Sequence, residues 1–426
     1  MTVSLWRHAD FLKLWVGQTI SELGSVVTRT AMPLVALLVL GGGPFEFALL
    51  IISESLAVLL VSLVAGAWVD RLRRRPLLIA ADVLRGVLLL SVPIAYALNG
   101  LRMEQLYVVL FLVSAVGAVF STAYPAYVPT LVGVDRVVDA NAKLATSSSI
   151  AEIGGPGLAG ALVQLFKAPF AILVDAVSFF ISAVSLFLIR TPEPARPPRD
   201  VDSAVRSEIV EGLRAVREHR VLWPMAVRSI VAHVAGSFYG VLYTIYLVQD
   251  LHLNTFLFGI VISAGGVGSI VGSLFASRVI RRLGLGPALI WTAIGASILG
   301  ILTPLAQGPL PLAFAMLFIP QLIGDGLQTI EGVAETSLIQ GLVPNHILGR
   351  VNATLETVSH GIAYPIGALA AAALAGVIGA RGGIAIGWFG MAVSIAILVL
   401  SPLPRVRHAA DYTTELPAAE GPPPSA

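Results

Sequence analysis

Apolar runs long enough to cross a lipid bilayer recur from one end of this chain to the other, and no other feature constrains its fold as strongly. A helix of about 20 apolar residues spans a hydrocarbon core of roughly 30 Å. Runs of that kind lie at 11–40, 46–69, 76–98, 104–127, 143–166, 169–189, 222–248, 256–278, 287–306, 310–335, 352–378 and 383–403. Inside hydrocarbon every backbone N–H and C=O must be satisfied by the protein itself, so continuous runs of this length predict helices. Of the 426 residues 56% are hydrophobic and 12% charged, about half the charged share of a soluble domain. Too little polar surface remains to cover a globule. A soluble enzyme, a nucleic-acid binder and a disordered scaffold are therefore excluded. The expected fold is an all-α polytopic membrane protein with twelve transmembrane helices.

The charged residues give an orientation. Of 27 Lys and Arg, 21 fall in the segments on one side of the spans and three, Arg102, Lys167 and Arg381, on the other. Arg29, Arg85 and Arg228 lie within spans. Positive residues collect on the cytoplasmic side, so both termini and the long central segment are expected there, in the inner membrane of a bacterium. The organisation that follows is a six-helix bundle over 1–189, a cytoplasmic linker with a short helix over 190–221, a second six-helix bundle over 222–404, and a disordered tail over 405–426. The apolar run that begins near Phe11 exceeds a signal peptide's and has no cleavage-like end. With no Cys, disulfides and thiolate metal sites are ruled out, and no cofactor or metal is expected.

A weak repeat relates the halves. The stretch Asp135 to Asn141 precedes the fifth span and His346 to Asn352 the eleventh; each leads into a polar helical start and then a Pro among small residues, Pro156 and Pro365. Two six-helix halves related in this way are the arrangement of parallel-repeat transporters, with cargo bound near the midplane.

Between the second and third spans the chain reads Gly66-Ala-Trp-Val-Asp70-Arg71-Leu-Arg73-Arg74-Arg75. This resembles the loop signature of the major facilitator superfamily, keeping Gly66, Asp70, Arg71, Arg74 and Arg75 and placing Arg73 where the family has Gly. Gly155-Pro156-Gly157-Leu-Ala159-Gly160 is similar to an element of that superfamily's antiporters. The stretches around Asp82–Arg85, Asp175 and Leu348–Ala353 resemble the bacterial branch that holds the enterobactin exporter and macrolide efflux proteins. The resemblance implies the two-bundle facilitator fold, a conformational latch at Gly66, Asp70, Arg71, Arg74, Arg75, Asp82 and Arg85, and export driven by proton entry.

Ionisable groups inside spans are costly and point to function or to buried pairing. Glu22 and Arg29 stand seven residues apart on one helical face; they are read as a proton-exchanging pair or as a structural ion pair. The tenth span carries Gln321, Asp325, Gln328 and Glu335 at helical spacing, with Glu331 to one side, a stripe that must face protein or a water-filled cavity. Glu335, near the cytoplasmic end, is expected to be solvated there. Glu356 and His360 are neighbours at i, i+4. Glu152, Glu54 and His233 are further candidates, with Glu22, Arg29, Asp325, Glu356, His360, Glu152 and Glu54 assigned to proton coupling. Tyr239, Tyr243, Gln321, Gln328, His233 and Arg228 are assigned to the cargo cavity. Tyr246, at the outer boundary, fits an interfacial belt.

The expected function is a proton-coupled exporter, an antiporter, of a small amphipathic molecule such as a drug, macrolide or siderophore, acting as a monomer by alternating access. Proton-coupled uptake is the alternative. A membrane enzyme would need Asp, His or Asn clusters on its aqueous loops, which carry mostly arginine. An ATP-driven pump would need a separate ATPase chain, since the sequence has no phosphate-binding loop.

Overall fold

The computed structural model describes residues 5–69, 72–193 and 213–407. Six helices form the first half: α1 (Ala9–Leu38), α2 (Pro44–Val69), α3 (Arg74–Ala97), α4 (Met103–Val132), α5 (Val137–Phe166) and α6 (Ala168–Phe187). The second half comprises α7 (Leu222–Asp250), α8 (Thr255–Leu283), α9 (Leu285–Leu305) and α10 (Leu310–Leu342). Then α11 runs from Asn345 to residue 378 and α12 from residue 380 to Leu400, separated by Gly379. With φ of 73° and ψ of 172°, Gly379 has a conformation that L side chains avoid, and the chain reverses there.

Among the described residues ten helices are long and apolar enough to cross a membrane, counting Ile347–Leu400 as one. The break at Gly379 makes that segment two. The remaining span is α1, whose Asp10, Lys13, Glu22 and Arg29 dilute its apolarity but whose other face packs on α5 and α6. All twelve expected spans are thus helices. Several overrun their apolar stretches: α4 continues to Val132, α10 to Leu342, and α5 and α11 begin at Val137 and Asn345. A helix of 30 residues is about 45 Å long, well beyond the hydrocarbon. Hydropathy marks only the part inside lipid.

The packing of the first half recurs in the second. The pairs α1–α6, α3–α6, α2–α4, α3–α4 and α1–α5 correspond to α7–α12, α9–α12, α8–α10, α9–α10 and α7–α11. Between halves, α5 lies along α8, and α2 along α11 and α7. Residues 213–218 of the linker are helical and Val216 is buried against the second half. The remainder of the expected linker helix, Asp70 and Arg71 of the latch, and the tail from 408 lie outside the described residues.

The buried side chains show how the halves meet. We call the end that carries the start of α1 and the end of α12 the terminal face. Towards the opposite, far face one continuous apolar core joins both halves, from Val27, Phe47 and Ala159 to Phe238, Phe258 and Ala371. Towards the terminal face the buried residues fall into two clusters. Phe11, Leu78 and Tyr127 anchor one, and Leu222, Leu289 and Leu338 the other. The halves are sealed at the far face and separate towards the terminal face.

The seal is backbone against backbone. A Cβ on Gly160 would strike the carbonyl of Thr255, and one on Gly259 the carbonyl of Pro156. Thr255 Oγ1 donates to the Gly160 carbonyl at 3.2 Å, Gly157 N–H donates to Ser263 Oγ at 2.9 Å, and Phe256 N–H donates to Gln164 Oε1 at 3.2 Å. Gly155, on the other side of α5, rests against Val26 of α1. Gly154 faces open space. Gly160→Ala should therefore cost about 1–3 kcal/mol of overpacking, whereas Gly154→Ala should gain up to about 1 kcal/mol of helix propensity. Thermal unfolding in detergent should rank Gly154→Ala at or above wild type and Gly160→Ala below it.

Candidate translocation site

Two groups of ionisable residues, one in each half, bear on the candidate site. In the first, Arg29 on α1 pairs with Glu152 on α5, both side chains solvent-accessible. The expected partner, Glu22, accepts from Ser148 Oγ at 3.3 Å instead. Glu22 and Arg29 share a face, but their backbones are about 10 Å apart along the axis at 1.5 Å per residue. Gly155 lets α5 approach α1 closely, so a partner on the neighbouring helix is nearer than one two turns along the same helix. Glu54 on α2 is solvent-accessible and within electrostatic reach of both Arg29 and Tyr364 of the other half.

The latch residues divide. Asp82 and Arg85 form a buried ion pair inside the first half, with the Arg85 guanidinium 4.4 Å and 4.2 Å from the ring centroids of Phe120 and Phe179. Such a cation–aromatic sandwich fixes the arginine in place. Asp175, also buried, accepts from Ser178 Oγ at 3.1 Å. Arg74 donates to the carbonyl of Ala126, and Arg75 to those of Leu186 at 3.0 Å and Phe187 at 2.6 Å, so both tie α3 to the ends of α4 and α6. Glu193 accepts from the N–H groups of Arg74 at 2.8 Å and Arg75 at 3.2 Å, capping α3 from the start of the linker. Arg73 has φ −67° and ψ 127°, an extended conformation that needs no glycine. Gly66 lies within α2.

In the second half a cavity of about 650 Å³ lies within the bundle, among α7, α9, α10, α11 and α12. Arg228, His233, Tyr239, Tyr243, Gln321, Asp325, Gln328, Glu331, Glu335 and His360 all line it. Arg228 is bound by Glu331 and, at 3.2 Å, by Glu335. Glu335 is thus an ion-pair partner and not merely solvated, because Arg228 on α7 faces it across the cavity. Gln321 Nε2 donates to Tyr243 Oη at 3.1 Å. Tyr246 is buried and its hydroxyl donates to the Ala306 carbonyl at 2.8 Å, which places it in the core rather than in an interfacial belt.

Glu356 and His360 meet at 3.2 Å as their spacing requires. The His360 ring also stands edge-on to His233, with centroids 4.2 Å apart, and Tyr364 is close to both. His233 Nδ1 lies 2.7 Å from the Ser229 carbonyl, and Ser229 Oγ is 2.8 Å from Ser359 Oγ. Two wide helical turns, Pro320–Gly324 in α10 and Thr357–Ala363 in α11, carry Gln321 and His360. Such π-turns bulge a side chain out of register. Tyr364 and Trp388 are cavity residues the sequence reading missed. Tyr364 follows His360 by four residues and was recoverable by spacing. Trp388 sits in an apolar span with no such signal.

Two repeated six-helix halves, closed together at one face and carrying ionic groups in their interior, are the architecture of parallel-repeat membrane transporters. The chain belongs to the Major Facilitator Superfamily, whose family model matches residues 14–368. It is similar to the multidrug efflux pump Tap of Mycolicibacterium fortuitum, 26% identical over 90% of this chain and 93% of that protein. It is also similar to macrolide efflux protein A of Streptococcus pyogenes, 22% identical over 95% and 97% of the two chains. Among solved structures, the nucleoside transporter NupG shares the fold with a TM-score of 0.77 at 12% identity, over 92% of this chain and 99% of that one.

The Arg228 network gives a stability prediction. Arg228→Met leaves two carboxylates without their cation and should cost about 3–5 kcal/mol. Adding Glu331→Met should recover a large part of that loss, because it removes the more buried of the two orphaned charges. Melting temperatures of the single and double variants check the order.

Proposed function

We propose that this transporter is a proton-coupled exporter of small amphipathic molecules, acting as a monomer by alternating access. It sits in the cytoplasmic membrane of a bacterium with the terminal face in the cytoplasm. The excess of Lys and Arg on that side supports this orientation, and with it the far-face seal closes the outside while the halves separate towards the cytoplasm. Export is favoured by the efflux activity named for two relatives that align over nearly their whole length.

The observation that carries the coupling is the Arg29–Glu152 pair. Glu152 stands where α5 meets α8, since its backbone carbonyl lies beside Gly266, and the pair is accessible to water. A carboxylate held by an arginine stays ionised; when the arginine is drawn to another partner, the carboxylate takes up a proton. In the proposed cycle Glu152, with Glu22 beside it, loads a proton from outside and gives it up to the cytoplasm, and the Glu356–His360 pair serves the second half. The loop from Gly66 to Arg75, with Asp70 and Arg71, braces the cytoplasmic face in one state.

Accumulation of ethidium in a pump-deficient bacterial host tests this reading. Cells that express the wild-type protein should accumulate less dye, a protonophore should abolish the difference, and Glu152→Gln and Glu22→Gln at equal expression should raise accumulation towards the empty host. Increased dye uptake on expression would point to symport. Efflux that persists unchanged in both variants would remove these carboxylates from the coupling.

A further inference from the structure

The cavity inside the second half holds an imbalance of charge that the proposed proton path leaves unused. Its lining contributes one guanidinium, Arg228, against three carboxylates, Asp325, Glu331 and Glu335. Arg228 is already taken by Glu331 and Glu335. Among the described residues no cation or hydrogen-bond donor meets the Asp325 carboxylate. Of the polar groups around it, Gln321 donates to Tyr243, and His233 and His360 face each other, with His360 bound to Glu356. On α8 the residue opposite Asp325 is Gly265, where any Cβ would collide with the carboxylate. Gly265 thus leaves room for the Asp325 carboxyl group against α8, and a carboxyl group inside a span is costly to ionise without a cationic partner.

The rest of the lining suits an apolar body. Tyr239, Tyr243 and Trp388 present aromatic faces, and Trp388 is held in place by donating to the Ser297 carbonyl at 2.7 Å. A cation is attracted to such faces as well as to a carboxylate. A volume of about 650 Å³ is that of a small-molecule site. An anion finds no free partner: among the described residues Arg29, Arg85 and Arg228, the arginines within spans, each already hold a carboxylate.

We propose that this cavity is a subsite for a small organic cation, with Asp325 as its counter-ion and Tyr239, Tyr243 and Trp388 as the wall for its apolar body. The assignment rests on the transporter reading above and narrows its amphipathic cargo to cationic molecules. It is independent of direction and of energy source.

Equilibrium binding to the purified protein in detergent tests it, using tetraphenylphosphonium, with tetraphenylborate as an anion of the same shape. Tetraphenylphosphonium should bind and tetraphenylborate should neither bind nor compete. Asp325→Asn should weaken binding about 30-fold, which is about 2 kcal/mol at 1.4 kcal/mol per decade, while Asp325→Glu should retain most of it. In the wild-type protein, tetraphenylphosphonium should protect Asp325 from an apolar carbodiimide, a measurement that holds even where Asp325→Asn does not fold. Wild-type affinity in Asp325→Asn, equal binding of the two ions, or undiminished labelling of Asp325 would each overturn the assignment. Binding needs no gradient. Asp325-dependent binding together with a failed dye assay would sink proton-driven export and leave the subsite standing.

Discussion

Helices from two separate bundles can touch backbone to backbone only where neither carries a side chain at the crossing, and α5 and α8 meet in that way. Gly157, Gly160 and Gly259 line the contact, with Gly266 a further two turns along α8. At the crossing itself the contact exchanges side-chain burial for closeness. Packing of this kind depends on van der Waals fit and short polar contacts rather than on the hydrophobic effect, which lipid removes as a driving force between helices. The common core beyond it and the separate cores towards the terminal face follow from its position.

The same helix brings the two polar centres together. Gly265 and Gly266 are consecutive on α8 and, about 100° apart around the helix, meet different neighbours, one Asp325 in the second half and the other the backbone of Glu152 in the first. α8 lies between Asp325, assigned to cargo, and the backbone of Glu152, assigned to the proton. In the proposed cycle a movement of α8 along the seam would shift both surroundings at once.

Much of the fold was legible because the bilayer enforces it: twelve apolar runs became twelve helices, and six spans on either side of a long polar segment, with a short repeat, suggested two related halves. Helix ends outside lipid, as at Leu342 and Val137, carry no hydropathic mark and were misplaced. Within one helix the spacing logic worked, and Glu356 and His360 meet as their separation requires. Across helices it failed. Arg29 found Glu152 instead of Glu22, and Glu335 found Arg228, because partners on different helices depend on which small residues let backbones approach. The enclosure of Asp325 within one bundle, rather than on the surface between the two, was likewise invisible to periodicity. Spacing says that a stripe avoids lipid but not what it faces.

In the proposed mechanism the far-face seam and the terminal face open in alternation. The sequence contains no cysteine, so spin labels can be placed at single introduced sites without removing any. One pair would join Val138 to Leu283 near the terminal face, and the other Leu165 to Phe256 near the far face, all at exposed positions. Pulsed electron–electron resonance on reconstituted protein, with and without tetraphenylphosphonium and at low and neutral pH, reads both distances. Alternating access predicts that conditions which shorten the first distance lengthen the second. Distances that stay fixed under every condition, or that change together in the same direction, would contradict it.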